Sequence, residues 1–280
     1  MKSENPSPQY WDQLFEKKKE DLRLSAWRKY MKSVYSRLMS TWFETQNGAT
    51  TLKTDLFEEA SSEHSLLSEF ESGFGVDNSV HIALAARAMS PDQFCNRLIV
   101  CDLRNLPLRS ESFHQILSGS SLDHFSLRTD IGKALKELSR VLIPGGILIL
   151  TLDNPHNPAV WIRNALPFAW LNRIGLVPYY VGPTCRLNEA RKLLENAGFE
   201  VMETTAVAHV PRAPAIWCVM VAEKLRTKKI GDWLSRHYES WETLQRFPFR
   251  YITGYYIALR ARKLQDEPRR HEDAKSDKRG

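Results

Sequence analysis

Five polar side chains stand where short apolar runs give out: Asp55, Asp77, Asp102, Ser118 and Asp153. A row of acids at such positions suits a ligand that carries ribose hydroxyls and cationic groups. The hydroxyls need acceptors and the cations need counter-charge. In open α/β sheets ligands bind beyond the carboxyl ends of the strands, and an acid about 20 residues past the first strand can accept both hydroxyls of a ribose. Asp77 follows Asp55 by 22 residues.

The elements that must position these groups are legible as a change of period. Residues 10–43 carry apolar side chains at helical spacing (Trp11, Leu14, Phe15, then Leu24, Trp27, Tyr30, Met31, Val34, Leu38) and read as one long helix or two shorter ones. From Thr50 short apolar runs alternate with helical stretches. Strands are expected from Thr51-Leu52, ending at Gly73–Asp77, at Arg97–Asp102, at Phe113–Ser118 and at Ile147–Asp153. Helices are expected at His81–Met89, Ile131–Leu142 and Leu187–Ala197, with Pro144-Gly145-Gly146 as a tight turn before the fifth strand. Such alternation argues for a parallel sheet covered by helices. Residues 155–185 read as an insertion or lid. Phe199–Val207 and Ile216–Val221 are expected to close the sheet, and 228–264 to return to helix. The expected units are therefore a helical extension over 1–49, an α/β domain over 50–223, an aromatic and basic helical segment over 224–264, and a disordered tail over 265–280.

The middle of the chain resembles the small-molecule branch of the class I S-adenosylmethionine-dependent methyltransferases, over about residues 50–223. Gly-Val-Asp77 resembles the acidic motif that holds the cofactor's ribose. Cys101-Asp102-Leu103-Arg104-Asn105-Leu106-Pro107 resembles the adenine-contacting segment. Ser112–Ser118 resembles the fourth strand, with His114 where an Asp is usual. Leu138–Gly146 resembles the helix and turn before the fifth strand and is the most specific match. The resemblance implies a Rossmann-like, seven-stranded, mostly parallel sheet whose last strand is antiparallel, with flanking helices and helical additions at both ends. It implies S-adenosylmethionine as cofactor, contacted by Thr54, Asp55, Asp77, Asn78, Asp102, Leu103 and Ser118. One departure stands out. The family's first strand runs into a glycine-rich loop, whereas here Leu52–Ala60 contains no glycine. Side chains replace the space glycine leaves. Either Asp55 or Glu58 meets the cofactor's ammonium in a rearranged loop, or the site is degraded.

For the second substrate, His124 follows the fourth strand beside Asp123, and its imidazole titrates near neutrality; these two are the candidate catalytic residues. The alternative for His124 is a histidine that fills space beside the next helix. Asp153 and Asn154 after the fifth strand, Tyr180 in the lid, and His209 and Arg212 near the end of the domain are the candidate acceptor contacts. Arg212 could hold a carboxylate or phosphate in a bidentate pair. Asn154 before Pro155 also reads as turn chemistry.

No run of about 18 apolar residues occurs, and the polar start lacks an apolar core, so neither a membrane span nor a secretory signal is expected. The four cysteines (Cys95, Cys101, Cys185, Cys218) have no Cys-x-x-Cys spacing, and no metal site is expected. A reduced, cytoplasmic protein is the simplest reading. The net charge of +6 is uneven: residues 44–221 hold 15 Lys and Arg against 19 Asp and Glu, 10–43 hold 8 against 4, and 222–264 hold 10 against 4. An acidic middle argues against a nucleic-acid acceptor, which needs a basic footprint near the chemistry. The basic, aromatic flanks are expected to pack together beside the acceptor entrance and to attract an anionic acceptor or an anionic membrane surface. The expected function is methyl transfer to a small, anionic or lipophilic molecule; a non-catalytic binding or scaffold protein of the same fold is the alternative.

Overall fold

The computed structural model describes residues 6–18, 24–44, 46–61, 65–90, 97–173, 177, 179–226 and 228–265. The tail expected to be disordered, apart from its first residue, and Cys95 lie outside these.

Two helices, α1 (Pro8–Lys18) and α2 (Ser25–Trp42), precede β1 (Thr50–Lys53). The chain continues through α3 (Phe57–Ser61), β2 (Ser72–Asp77), α4 (Val80–Met89), β3 (Leu98–Val100), β4 (Phe113–Gly119), α5 (Arg128–Val141) and β5 (Leu142–Asp153). It then forms α6 (Pro158–Ala165), α7 (Phe168–Arg173), α8 (Leu187–Glu195), β6 (Phe199–Val207), α9 (Arg212–Lys224), α10 (Lys228–Ser240), α11 (Arg250–Thr253) and β7 (Tyr256–Lys263). The strands make one seven-stranded sheet in the order β3-β2-β1-β4-β5-β7-β6. All pairs are parallel except those of β7, which runs antiparallel to both β5 and β6.

Each face of the sheet has its own core. Leu148, Leu150 and Leu152 of β5 join the cluster under α5 and α8, while Ile147 and Ile149 join the cluster under α2, α4, α9 and α10. This two-sided burial explains why β5 is nearly continuous apolar sequence. In α5, Ile131, Ala134, Leu135, Leu138 and Val141 lie on the buried face at helical spacing.

Three expectations change. Ile216–Val221 is not a strand but the middle of α9. The place beside β6 is filled by β7, drawn from residues expected to be helical, so the sheet extends past residue 223 to Lys263. Pro144-Gly145-Gly146 is not a turn ahead of β5 but an irregularity within it: Phe113 pairs with Leu142, then Gln115 with Ile147. Gly145 there has φ +79°, which favours glycine.

The flanking segments do pack together. Tyr30 Oη donates to Glu242 at 2.5 Å, Lys29 pairs with Asp232, and Glu223 accepts from the Ser25 N–H. The basic end of β7 is not a free field, however. Arg260 pairs with Glu203 and Glu44, and Lys263 with Glu111.

Candidate active site

The carboxyl ends of β1, β2, β4 and β5 converge, and α1 lies across them. Asp12 on α1 accepts from Ser79 Oγ and from the His81 N–H at the start of α4, and Phe15 packs edge-on against Phe57. Trp11 sets its ring edge against His124, with centroids 4.7 Å apart.

β1 ends on Lys53, which is buried, and its ammonium meets the Asp55 carbonyl at 2.5 Å, Asp55 Oδ2 at 3.2 Å and Glu59 Oε2 at 2.9 Å. Its three N–H donors match these three acceptors. Burial opposes its charge, but Asp55 and Glu59 outweigh that and raise its pKa. The place of a glycine-rich loop is thus taken by a side-chain ion cluster. Asp55 also accepts from the Phe57 N–H and Asp77 from the Leu56 N–H, so the two acids fold the loop back onto the sheet. Asp77 accepts a second backbone bond from Ser79 at 2.9 Å. Burial, and then the nearby Asp55, push its carboxyl up to about 7.

Asp55 and Asp77 therefore adjoin each other, as do Thr54 and Ser118, whose hydroxyls bond at 3.0 Å. Asn78 follows Asp77 at the turn into α4, and Asp102 and Leu103 follow β3. Asp102 is held in a two-pronged pair with Arg104, which holds its carboxyl low against the opposing effect of burial. Arg104 reaches on to Asp130.

A second group lies beyond β4 and β5. Asp123 and His124 occupy a 3-10 turn, Leu122–His124. Asp123 accepts from Ser120 Oγ and from the Asp153 N–H; burial and Asp153 raise its pKa well above the carboxylate range. His124 bonds the Tyr180 carbonyl through Nδ1 at 3.0 Å, and burial lowers its pKa, keeping the ring neutral. His124 packs between the rings of Trp11 and Tyr179. Asp153 pairs with Arg163 of α6. Arg212 is enclosed by aromatic groups: it donates to Tyr256 Oη at 3.2 Å and Tyr179 Oη at 2.8 Å and lies 4.9 Å from the Tyr255 ring. Among the described residues no carboxylate forms an ion pair with Arg212.

Asn154 and His209 stand apart from these groups. Asn154 donates to the Tyr251 and Gly254 carbonyls and accepts from the His156 N–H, tying β5 to the entry of β7. His209 uses Nδ1 on Thr253 Oγ1 and Nε2 on the Ala206 carbonyl. Both hold the frame. His114 lies at the other end of the sheet, where its Nδ1 accepts from the Thr50 N–H and ties β1 to β4. Lys53, Glu59 and Arg163 were not singled out from sequence. Lys53 had a local signal, the last position of a strand; Glu59 and Arg163 lie near their partners Lys53 and Asp153 in sequence, but apolar periodicity carries no sign of an ion pair. Among the described residues no group of three or more His, Cys, Asp or Glu is arranged to hold a metal ion.

Residues 59–150 match the family described as a methyltransferase domain. A 52-residue stretch is 46% identical to human probable tRNA methyltransferase 9B; it covers 19% of this chain and 12% of that relative. A Haloferax volcanii putative methyltransferase, solved in complex with the Trm112 methyltransferase activator, superposes with a TM-score of 0.57 at 18% identity, over 94% of this chain and 100% of that one. Geranyl diphosphate C-methyltransferase from Streptomyces coelicolor A3(2), solved with Mg2+, geranyl diphosphate and S-adenosyl-L-homocysteine, superposes with a TM-score of 0.51 at 14% identity, over 82% and 78%. At these identities the structural likeness speaks for the fold, and acceptors differ widely within one fold.

Proposed function

We propose that this chain, whose residues 59–150 match a methyltransferase domain, transfers the methyl group of S-adenosylmethionine to a small anionic or lipophilic acceptor. The observation that carries this is Asp77, a half-buried acid at the end of β2, beside β1, where a ribose would be held. Each of its oxygens has one backbone donor and retains a lone pair for a ligand hydroxyl. The surroundings fit a cationic nucleoside by charge. Lys53 and Arg28 are outnumbered by Asp55, Glu58, Glu59 and Asp77, and Lys53 is saturated by its own partners. Thr54, Asp55, Asp77, Asn78, Asp102, Leu103 and Ser118 would line this ligand.

When bound, the cofactor supplies a methyl group already activated on a sulfonium. The chain's own task is to orient the acceptor in line. The neutral His124, next to Asp123, can take a proton from an acceptor hydroxyl or amine. Arg212, with phenols rather than a carboxylate around it, can meet an acceptor's carboxylate or phosphate; Asp153 and Tyr180 border the same space. Calorimetric titration with S-adenosylmethionine and S-adenosylhomocysteine tests the cofactor. Saturable binding, weakened by about 1–3 kcal/mol in Asp77→Ala through lost hydrogen bonds, is expected. No saturable binding by the unaltered chain would reject the enzyme reading.

The ion cluster in the first loop favours one other reading, a non-catalytic protein of this fold, and absence of saturable binding in the same titration would support it. The name of the partial relative raises an RNA acceptor. The acidic middle of the chain favours a small molecule, so methyl transfer to bulk tRNA is expected to be absent.

A further inference from the structure

Helices α6, α7 and α9 present apolar side chains outward in a way a water-facing surface does not require. Over residues 158–173 there is no carboxylate, and the two cations are Arg163, turned in to Asp153, and Arg173. Trp161 is 64% exposed and Trp170 51%, with Ile162 and Leu166 between them also exposed. In α9, residues 213–222 carry no charge at all. Ala215, Val219 and Ala222 face the core, yet Trp217 on the opposite side is 66% exposed and Met220 is exposed with it. A helix apolar on all sides belongs in a core or against lipid, and α9 is only half in a core.

The three helices meet a common set of residues: Arg163 of α6 and Arg212 of α9 both reach Tyr255, the first by a hydrogen bond and the second across the ring, and Phe168 of α7 packs edge-on against Tyr180. The helices therefore border the residues assigned to the acceptor, Asp153, Tyr180 and Arg212. The side-chain amides of α6 and α7 are engaged within the chain. Asn164 donates to Thr184, and Asn172 to the Val177 carbonyl. Basic residues fringe it: Arg173, Lys224, Arg226 and Lys229 are exposed, and Glu223 accepts from the Ser25 N–H.

We propose that the outer faces of α6, α7 and α9 form a docking surface for an anionic bilayer, with the acceptor mouth against the lipid. Indole rings favour the membrane–water interface, and a cationic fringe adds attraction to anionic headgroups. A second copy of the chain or another protein would need directional polar groups at its rim, and Asn164 and Asn172 direct theirs to Thr184 and the Val177 carbonyl of their own chain. No helix among the described residues is long and apolar enough to cross a membrane, so the surface lies on the bilayer.

Flotation of the full chain with vesicles of phosphatidylcholine, with and without phosphatidylserine, tests this. Binding to the mixed vesicles, weakened by salt, is expected, with quenching of tryptophan fluorescence by brominated lipid. Trp161→Ser with Trp217→Ser should lower binding by about tenfold or more, since partitioning scales with buried apolar area. Failure to float with either vesicle, equal binding to both, or binding without quenching would overturn the proposal. So would a dimer in sedimentation velocity that the same double variant dissociates. The quenching needs no variant, and no cofactor enters the assay, so the result is independent of the methyl-transfer reading.

Discussion

At the scale of single residues, the site is governed by burial of charge. Lys53 and Glu59 are both enclosed, and removing Lys53 leaves the Glu59 carboxylate without its buried counter-charge. Lys53→Met should destabilise the fold by about 3–5 kcal/mol, as broken buried pairs do, measured by urea unfolding. A loss under 1 kcal/mol would show that the cluster contributes little to stability. Asp77 behaves differently. Its folded pKa of about 7 lies above the unfolded value of about 3.9. Its contribution to stability is therefore fullest below pH 4 and declines as pH rises to 7. A ribose needs the ionised carboxylate as acceptor, so cofactor affinity should rise across the upper part of that window and level off above it. Titrations from about pH 5.5 to 8 should show this rise, and Asp77→Asn should flatten it; an identical profile in the variant would mean another group is responsible.

At the scale of elements, the segment ending at Gly182 is clamped onto the turn that carries Asp123 and His124. The Gly182 N–H donates to the Asp123 carbonyl at 2.7 Å, and His124 holds the Tyr180 carbonyl. A Cβ at Gly182 would stand 1.9 Å from the Phe125 carbonyl oxygen. That neighbour is backbone and cannot swing aside. Gly182→Ala should therefore lift the segment, cost about 1–3 kcal/mol or more, and expose the Gly182-equivalent amide to hydrogen exchange. Unchanged protection and thermal midpoint would contradict the clamp. The same segment carries Tyr179, so its displacement should also loosen Arg212.

At the scale of the whole molecule, the sheet is closed by a strand from far along the chain. β7 pairs along its length with both β5 and β6, and its backbone lies between them. Ending the chain after Phe249 would strip the pairing of two strands and leave β5, the most apolar of the seven, as an edge. Such unpaired apolar edges aggregate. The truncated chain should show no cooperative thermal transition by circular dichroism, whereas ending it after Gln265 should leave the transition in place. A cooperative transition in the shorter chain would mean that β7 is dispensable.

The strand ends were legible because a parallel strand buried on both faces is a short apolar run and its exit is marked by the first polar residue. That rule found Asp55, Asp77, Asp102, Ser118 and Asp153, together with the first five strands. It also led to the likeness that named the fold. The same rule failed at both ends of the last crossover. Residues 216–221 are rich in β-branched and aromatic side chains, but these face a core on one side only and wind into α9. Residues 256–263 alternate with arginine and read as a basic helix. Only the assembled sheet supplies Glu203, Glu44 and Glu111 to receive those charges. Periodicity reports how many faces an element buries; it carries no information on which distant element buries them. The enclosure of Arg212 by Tyr179, Tyr255 and Tyr256 joins segments far apart in the chain, and the tertiary structure alone decided it.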